Sequence, residues 1–128
     1  MQFFINARSG VPIYKQLEQQ IEKGIIGGIL QPGDQLPTVR EVALQITVNP
    51  NTVARAYREL EYRGLIESAQ GRGTFIAGNL ESPKAEEKEQ LFRQQLEELL
   101  QEARHLNLKK ITIEKIFTDT LKKWEREV

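Results

Sequence analysis

The sequence predicts a mainly α protein with a small β-hairpin, and three observations support that prediction. Apolar residues recur at helical spacing along most of the chain. A short second helical pattern is joined to a third by only Thr47, Val48 and Asn49. Two short apolar runs flank the glycine-rich turn Gln70-Gly71-Arg72-Gly73, as in a hairpin. The order of these elements predicts a winged helix-turn-helix domain over residues 1–78, followed by a two-helix tail over residues 79–128.

The composition argues against several classes of function. The chain has 18 basic and 18 acidic residues, so its global charge does not decide for or against nucleic acid. It has no cysteine and one histidine, His105, which is expected at the surface or at an interface. We therefore expect no disulfide, metal site, cofactor or enzyme activity. The absence of a signal-peptide pattern and of a long apolar run predicts a cytoplasmic protein with no membrane partner.

The first two helices are predicted from apolar spacing and from their starting residues. Pro12 suits the first position of a helix that buries Ile13, Leu17, Ile21 and Ile25. Thr38 and Glu41 have the spacing of a capping box, in which each side chain bonds the backbone amide of the other residue. The second helix then buries a short face made of Val39, Val42, Ala43 and Ile46.

The third helix is predicted to have a buried face and a polar, basic face. Asn49 is the expected N-cap, Pro50 the first helical residue and Gly64 the stop. The spacing of the apolar residues predicts burial of Val53, Ala56, Tyr57 and Leu60. The opposite face carries Asn51, Arg55, Arg58 and, at the C-terminal end, Tyr62, with Thr52 on its flank.

A basic, polar helix start is typical of a helix that enters the major groove of DNA. Arginine can bond the O6 and N7 atoms of guanine, and asparagine can make the equivalent pair of bonds to adenine. Asn51, Thr52, Arg55 and Arg58 are therefore candidate DNA-binding residues. In a competing interpretation, Arg55 and Arg58 are solvated residues paired with Glu59 or Glu61 one helical turn further on.

The hairpin turn also has two interpretations. Gly71 and Gly73 permit positive φ, which alone explains a tight turn. Alternatively, Arg72 reaches a narrow minor groove from the tip, and the glycines let backbone amides approach a phosphate. Arg40, near the start of the second helix, is placed for a phosphate contact, as is Thr38, although capping already accounts for Thr38.

The tail is predicted to form a dimer interface. Its apolar residues have a heptad-like spacing and comprise Phe92, Leu96, Leu99, Ala103, Leu106, Ile113, Phe117, Leu121 and Trp124. Two amphipathic helices alone enclose little core, so a second copy of the chain is the simplest partner. The tail is too short to enclose a large inducer. The sequence does not exclude a small-molecule effector that binds at the dimer interface or between the two parts of the chain.

Several motifs occur in a fixed order at consistent spacing. They are Pro12-Ile13-Tyr14, Pro32-Gly33-Asp34, Leu36-Pro37-Thr38-Val39-Arg40, Asn49-Pro50-Asn51-Thr52-Val53 and Gly71-Arg72-Gly73-Thr74-Phe75. Through these motifs, residues 11–77 resemble the DNA-binding domain of GntR-type bacterial transcription regulators. The short tail is similar to that of the YtrA-like subfamily, in which the tail serves mainly for dimerisation.

The resemblance implies a homodimeric repressor that binds an inverted-repeat operator in double-stranded DNA. It places Arg40, the start of the third helix (Asn49, Asn51, Thr52) and the wing residues (Gly71, Arg72, Gly73) at the DNA. Ala54 departs from the family pattern because many members have arginine there, so a role for Arg55 rests on its own position. Thr47 stands where the turn often has glycine, and threonine would be strained at positive φ. The competing hypothesis is a protein-interaction module that keeps the winged-helix scaffold without specific DNA binding.

Overall fold

A computed structural model describes all residues, 1–128. The helices are α1 (Ile13–Ile26), α2 (Val39–Ile46), α3 (Pro50–Tyr62), α4 (Ala85–His105) and α5 (Lys110–Glu127). The strands are β1 (Gln35–Leu36), β2 (Ile66–Ala69) and β3 (Gly73–Ile76). The chain is mainly helical with a small antiparallel sheet, as predicted. It forms two compact units, Met1–Lys88 and Glu89–Val128. The first unit continues past Gly78 because the half-buried Leu80 packs against its core.

The core of the first unit forms where α1, α2, α3 and the sheet meet. Its largest fully buried apolar side chains are Leu17, Ile21, Val42, Val53, Leu60, Ile66 and Ile76. Each such side chain contributes about 1.5–3 kcal/mol through removal from water. The predicted buried face of α3 is confirmed, since Val53, Ala56, Tyr57 and Leu60 are all buried. The other face of α3 is therefore left for solvent or a ligand.

The N-terminal segment before α1 is part of this unit. Phe3 lies in the core, and glutamines of α1 bond the backbone of the segment. Gln20 donates to the Phe4 carbonyl at 2.7 Å and accepts from the Phe4 amide at 2.9 Å. Gln16 bonds Asn6 in the same paired manner, with donation at 3.0 Å and acceptance at 2.9 Å. These bonds satisfy backbone groups that have no strand partner.

The predicted caps of α2 and α3 are present. Thr38 Oγ1 accepts a hydrogen bond from the Glu41 amide at 3.1 Å, which is one half of the capping box. Asn49 Oδ1 accepts from the Asn51 amide at 2.8 Å, and Pro50 is the first residue of α3. Pro12 was predicted as the first residue of α1 but takes the N-cap position, because its ψ of 149° is extended rather than helical.

The turn between α2 and α3 contains a residue in the left-handed conformation that is not glycine. Thr47 has φ 55° and ψ 56°, so it takes the positive-φ conformation in which threonine is strained. This conformation costs a non-glycine residue about 1–2 kcal/mol. Half-buried Ile46 and Val48 on either side pack against the core, and the Val48 amide donates to the Ala43 carbonyl at 3.1 Å. Tertiary packing therefore holds Thr47 in a conformation that its side chain disfavours.

The sheet has one strand more than the predicted hairpin. Its order is β1-β3-β2, and both pairs are antiparallel. β1 pairs Gln35 with Phe75 and Leu36 with Thr74. A strand of two residues shows no alternation, so sequence periodicity did not reveal it.

The second unit contains most of α4 and all of α5. No residue of either helix is buried, and the two helices do not pack along their lengths. Asn107, with φ 56°, lies just after α4. None of the helices is long and apolar enough to cross a membrane.

Candidate nucleic-acid interface

The start of α3 presents the predicted polar face to solvent. Asn51, Arg55 and Arg58 are exposed, and Thr52 is half-buried at the flank. Asn49 is exposed as well, with its side-chain oxygen used in the cap. The side-chain nitrogen of Asn49 and both polar ends of Asn51 are then available for an external partner. The capping role and a binding role are compatible at this helix start.

The acidic residues of α3 bond elsewhere and do not pair with Arg55 or Arg58. Glu59 lies 3.8 Å from the Arg63 guanidinium, and Arg63 also pairs with Glu22 of α1. Glu61 accepts from the amide and the hydroxyl of Ser68, each at 3.3 Å, which ties α3 to β2. Arg55 and Arg58 form no ion pair with any carboxylate. The interpretation of these arginines as members of helical salt bridges is therefore not supported.

Arg55 contacts an aromatic side chain of α1. Its guanidinium carbon lies 3.8 Å from the centre of the Tyr14 ring, and its Nη2 donates to the Tyr14 hydroxyl at 3.2 Å. Tyr14 belongs to the Pro12-Ile13-Tyr14 motif, whose sequence pattern alone predicts no role for this side chain. Nothing in the local spacing of α1 indicates this contact, which joins residues 41 positions apart.

The tip of the β2–β3 hairpin exposes Arg72 between two left-handed glycines. Gly71 has φ 77° and Gly73 has φ 123°. The Arg72 amide donates to the Ala69 carbonyl at 2.9 Å and closes the turn. The Arg72 carbonyl accepts from Gln35 Nε2 at 3.2 Å, so β1 supports the tip. A Cβ added at Gly73 would lie 2.8 Å from that Gln35 nitrogen, so the Gln35 side chain would have to move away from the tip.

The start of α2 is joined to α3 through Tyr57. The Tyr57 hydroxyl donates to the Pro37 carbonyl at 2.6 Å, directly before the Thr38 cap. Thr38 and Arg40 are exposed. α2 and β2 both pack on α3, so one unit carries the predicted residues of α2, α3 and the hairpin. No group of three or more His, Cys, Asp or Glu residues is placed to hold a metal.

The predicted dimerisation residues of the second unit are at its surface. Leu96, Ala103 and Ile113 are half-buried, and Phe92, Leu99, Leu106, Phe117, Leu121 and Trp124 are exposed. Around the connection between α4 and α5, these helices line an apolar concavity of about 270 Å³ that includes Leu99, Leu106 and Phe117. His105 is exposed at the end of α4. Large apolar side chains in this number are unusual on the surface of a monomeric protein.

Comparison with known proteins relates this chain to bacterial regulators. The pattern that defines bacterial regulatory proteins of the gntR family matches residues 13–76. The HTH-type transcriptional repressor YtrA of Bacillus subtilis (strain 168) is 41% identical over 124 residues. That alignment covers 97% of this chain and 89% of the relative, so the similarity includes the tail.

Solved structures show the same architecture. YtrA from Sulfolobus acidocaldarius, a GntR-family transcription factor, is 30% identical with a TM-score of 0.57, and the match covers 94% of this chain and 97% of that one. The DNA-binding domain of AraR in complex with operator ORX1 is 33% identical with a TM-score of 0.52. The AraR match covers 60% of this chain and 95% of that one.

Proposed function

Because the chain belongs to the GntR family of bacterial regulatory proteins and is a DNA-binding transcription regulator, we propose that it represses transcription as a homodimer on an inverted-repeat operator. The YtrA relative from Bacillus subtilis is a repressor and shares nearly the whole chain, which supports the sign of regulation. The protein acts in the cytoplasm, where bacterial DNA is found. A module that binds only protein is not favoured, because the related AraR domain binds operator DNA.

The observation that carries the choice of residues is the capped, carboxylate-free start of α3. The first turns of α3 enter the major groove, where Asn51, Thr52 and Arg55 meet base edges. Asparagine and arginine are suited to adenine and guanine respectively. Asn49 and Arg58 border this contact. The only acidic residues of α3, Glu59 and Glu61, are bonded to Arg63 and Ser68, so they do not oppose the phosphates there.

The wing and the start of α2 supply contacts that position the protein on the duplex. Arg72 extends from the hairpin tip into the minor groove, and Gly71 and Gly73 leave their backbone unobstructed beside a phosphate. Arg40 and the exposed hydroxyl of Thr38 bond phosphates beside the same half-site. A net charge of zero does not prevent this arrangement, because Arg40, Arg55 and Arg72 all lie on the first unit, in α2, α3 and the hairpin turn.

The tail forms the dimer interface. The exposed apolar residues of α4 and α5 include Phe92, Leu99, Phe117 and Trp124, and half or more of each of these side chains is exposed within one chain. A second tail that covers this surface would give a two-fold assembly. We propose an inverted repeat because a two-fold dimer presents its two α3 helices in opposite orientations, to half-sites about 34–36 Å apart or a multiple of that distance.

The proposed residues are tested on a duplex selected by the protein from random-sequence DNA. Affinity for that labelled duplex is measured by fluorescence anisotropy for Arg40→Ala, Arg55→Ala and Arg72→Ala. Arg55→Ala should cost about 1–3 kcal/mol and relax base discrimination. Arg40→Ala should weaken all sequences alike and reduce the salt slope by about one.

The matched control is Arg126→Ala, which removes the same charge from the tail. It should bind like the wild type. Unchanged binding by all three test variants, each shown to be folded by circular dichroism, would remove the assignment of these residues to DNA. Failure to select any sequence at all would contradict sequence-specific binding.

A further inference from the structure

A concavity of about 470 Å³ lies between α1 and α3, beside the proposed DNA-reading face. It is lined by Tyr14, Lys15, Glu18, Arg55, Arg58, Glu59 and Tyr62. Both charge signs are present, and Glu18 is buried with its Oε1 atom lacking any hydrogen-bond partner. Its other oxygen, Oε2, pairs with Lys15 Nζ at 3.3 Å, and a carboxylate at this place disfavours a phosphate beside it. The concavity is thus better suited to hold the Arg55 side chain, which stacks on Tyr14, than to bind an anion.

Within this concavity, Tyr14 makes two different contacts with Arg55. The ring face lies 3.8 Å from the guanidinium carbon, and the hydroxyl oxygen accepts from Nη2 at 3.2 Å. Stacking restricts the plane of the guanidinium, and the hydrogen bond restricts its rotation within that plane. Lys15 is no rival for the ring, since its Nζ lies 5.8 Å from the ring centre.

The two contacts leave most of the guanidinium available to a ligand. An arginine has five N–H donors, and Tyr14 accepts from one nitrogen only. A free arginine side chain loses considerable conformational freedom when it is fixed on a base or phosphate. A guanidinium already held by Tyr14 loses less. Preorganisation of this kind raises affinity without adding a contact to DNA.

We propose that Tyr14 of α1 is a positioning residue that preorganises Arg55 for the operator, an inference that rests on the proposed DNA-binding function. Tyr14 thereby extends the recognition surface to a helix that carries none of the predicted reading residues. It also gives Arg55 a defined place although Ala54 stands where many family members have arginine. Tyr14 acts through Arg55, so its contribution should vanish when Arg55 is removed.

The test is a double-mutant cycle on the full chain with the selected operator duplex. Tyr14→Phe keeps the ring and removes the hydroxyl, and Tyr14→Leu keeps apolar bulk and removes the ring. Each is combined with wild-type Arg55 and with Arg55→Ala. With Arg55 present, Tyr14→Phe should weaken binding about twofold and Tyr14→Leu about fivefold. With Arg55→Ala, neither change at Tyr14 should weaken binding further.

A matched control and a stability measurement accompany the cycle. Tyr62→Phe removes a hydroxyl from the same concavity and should leave the affinity unchanged. Thermal unfolding midpoints identify any loss of fold, because Tyr14 is half-buried against the core. If Tyr14→Leu unfolds, the cycle with Tyr14→Phe decides.

The measured affinities distinguish failure of the Arg55 role from failure of the Tyr14 positioning role. If Arg55→Ala binds as tightly as the wild type, the proposed role of Arg55 fails. If Arg55→Ala weakens binding but both Tyr14 variants match the wild type, only the positioning role is overturned. If the Tyr14 variants weaken binding equally with and without Arg55, Tyr14 contacts DNA independently, and the positioning role is again overturned.

Discussion

Tyr57 of α3 contributes both core packing and a hydrogen bond to the neighbouring chain segment. Its ring is buried in the α3 face, and its hydroxyl donates to the Pro37 carbonyl at 2.6 Å. Burial raises the pKa of Tyr57 well above its usual value, and the nearby Glu41 carboxylate raises it further. The phenol is therefore held neutral in the folded protein. It releases its proton more readily after unfolding.

This pKa difference predicts a loss of stability in alkaline solution. A folded-state pKa above the unfolded value of about 10 contributes stability below that pH, and the contribution falls as pH rises above it. The free energy of unfolding of the wild type, from urea titrations, should therefore decline more steeply above about pH 10 than that of Tyr57→Phe. Near neutral pH, Tyr57→Phe should cost about 1 kcal/mol for the unpaired Pro37 carbonyl.

Tyr62→Phe is the control for loss of a tyrosine hydroxyl, since the Tyr62 side chain is 88% exposed. It should retain the wild-type slope at alkaline pH. Parallel curves for the wild type and Tyr57→Phe would show that the phenol titrates alike in both states.

At the scale of elements, the start of α3 combines capping with the proposed reading of DNA. Asn49 caps the helix through Oδ1, and the exposed Asn51, Arg55 and Arg58 follow on the opposite side from the core. The first role needs only an acceptor oxygen. The second also needs a side chain that phosphates do not repel. A change of charge at Asn49 therefore separates the two roles.

Asn49→Asp should keep the fold and weaken operator binding. Aspartate is as good an N-cap as asparagine, so the free energy of unfolding should stay within about 0.5 kcal/mol of the wild type. Repulsion between the new carboxylate and phosphates should weaken binding about tenfold or more in anisotropy titrations at low salt.

Asn49→Ser is the neutral control, because serine caps equally well. It should be as stable as Asn49→Asp and bind more tightly. Equal affinities for the two variants would place Asn49 away from the DNA backbone.

At the scale of the whole molecule, the two units differ in how they are stabilised. The first unit has a continuous core of fully buried side chains, including Leu17, Val53 and Leu60. The second has no buried residue in α4 beyond Lys88 or in α5, and the proposed dimer would supply the apolar burial that these helices lack. In proteins, most of the stability of a helix comes from the packing of its apolar face rather than from intrinsic helix propensity.

Leu99→Glu should therefore convert the protein from dimer to monomer in sedimentation experiments. A carboxylate at this 60% exposed apolar position would be buried without a partner in the dimer. The monomer should lose affinity for the full operator, because two half-sites are no longer bound together. Its affinity for a single half-site should change little.

Gln101→Glu places the same new charge on α4 outside the predicted heptad-like residues and should remain dimeric. A Leu99→Glu protein that sediments as a dimer would locate the interface elsewhere. An equal loss of affinity on full and half-site duplexes would point instead to a defect in the first unit.

The sequence alone predicted the features that depend on neighbouring residues. The caps at Thr38 and Asn49 and the buried residues of α3 follow from side chains within one or two helical turns. Their physical causes, orphan backbone amides and helical periodicity, are local. The family resemblance followed for the same reason, since its motifs are short runs at regular spacing.

Tertiary structure decided the features that join distant residues. Strand β1 forms because Gln35 and Leu36 pair with β3, and the Gln35 side chain then donates a hydrogen bond to the hairpin tip. Tyr14 meets Arg55 only because α1 packs on α3. Thr47 adopts a left-handed conformation against its own preference because the packing of α2 on α3 outweighs the local strain. Non-local packing energy, which the spacing of residues does not reveal, determined each of these outcomes.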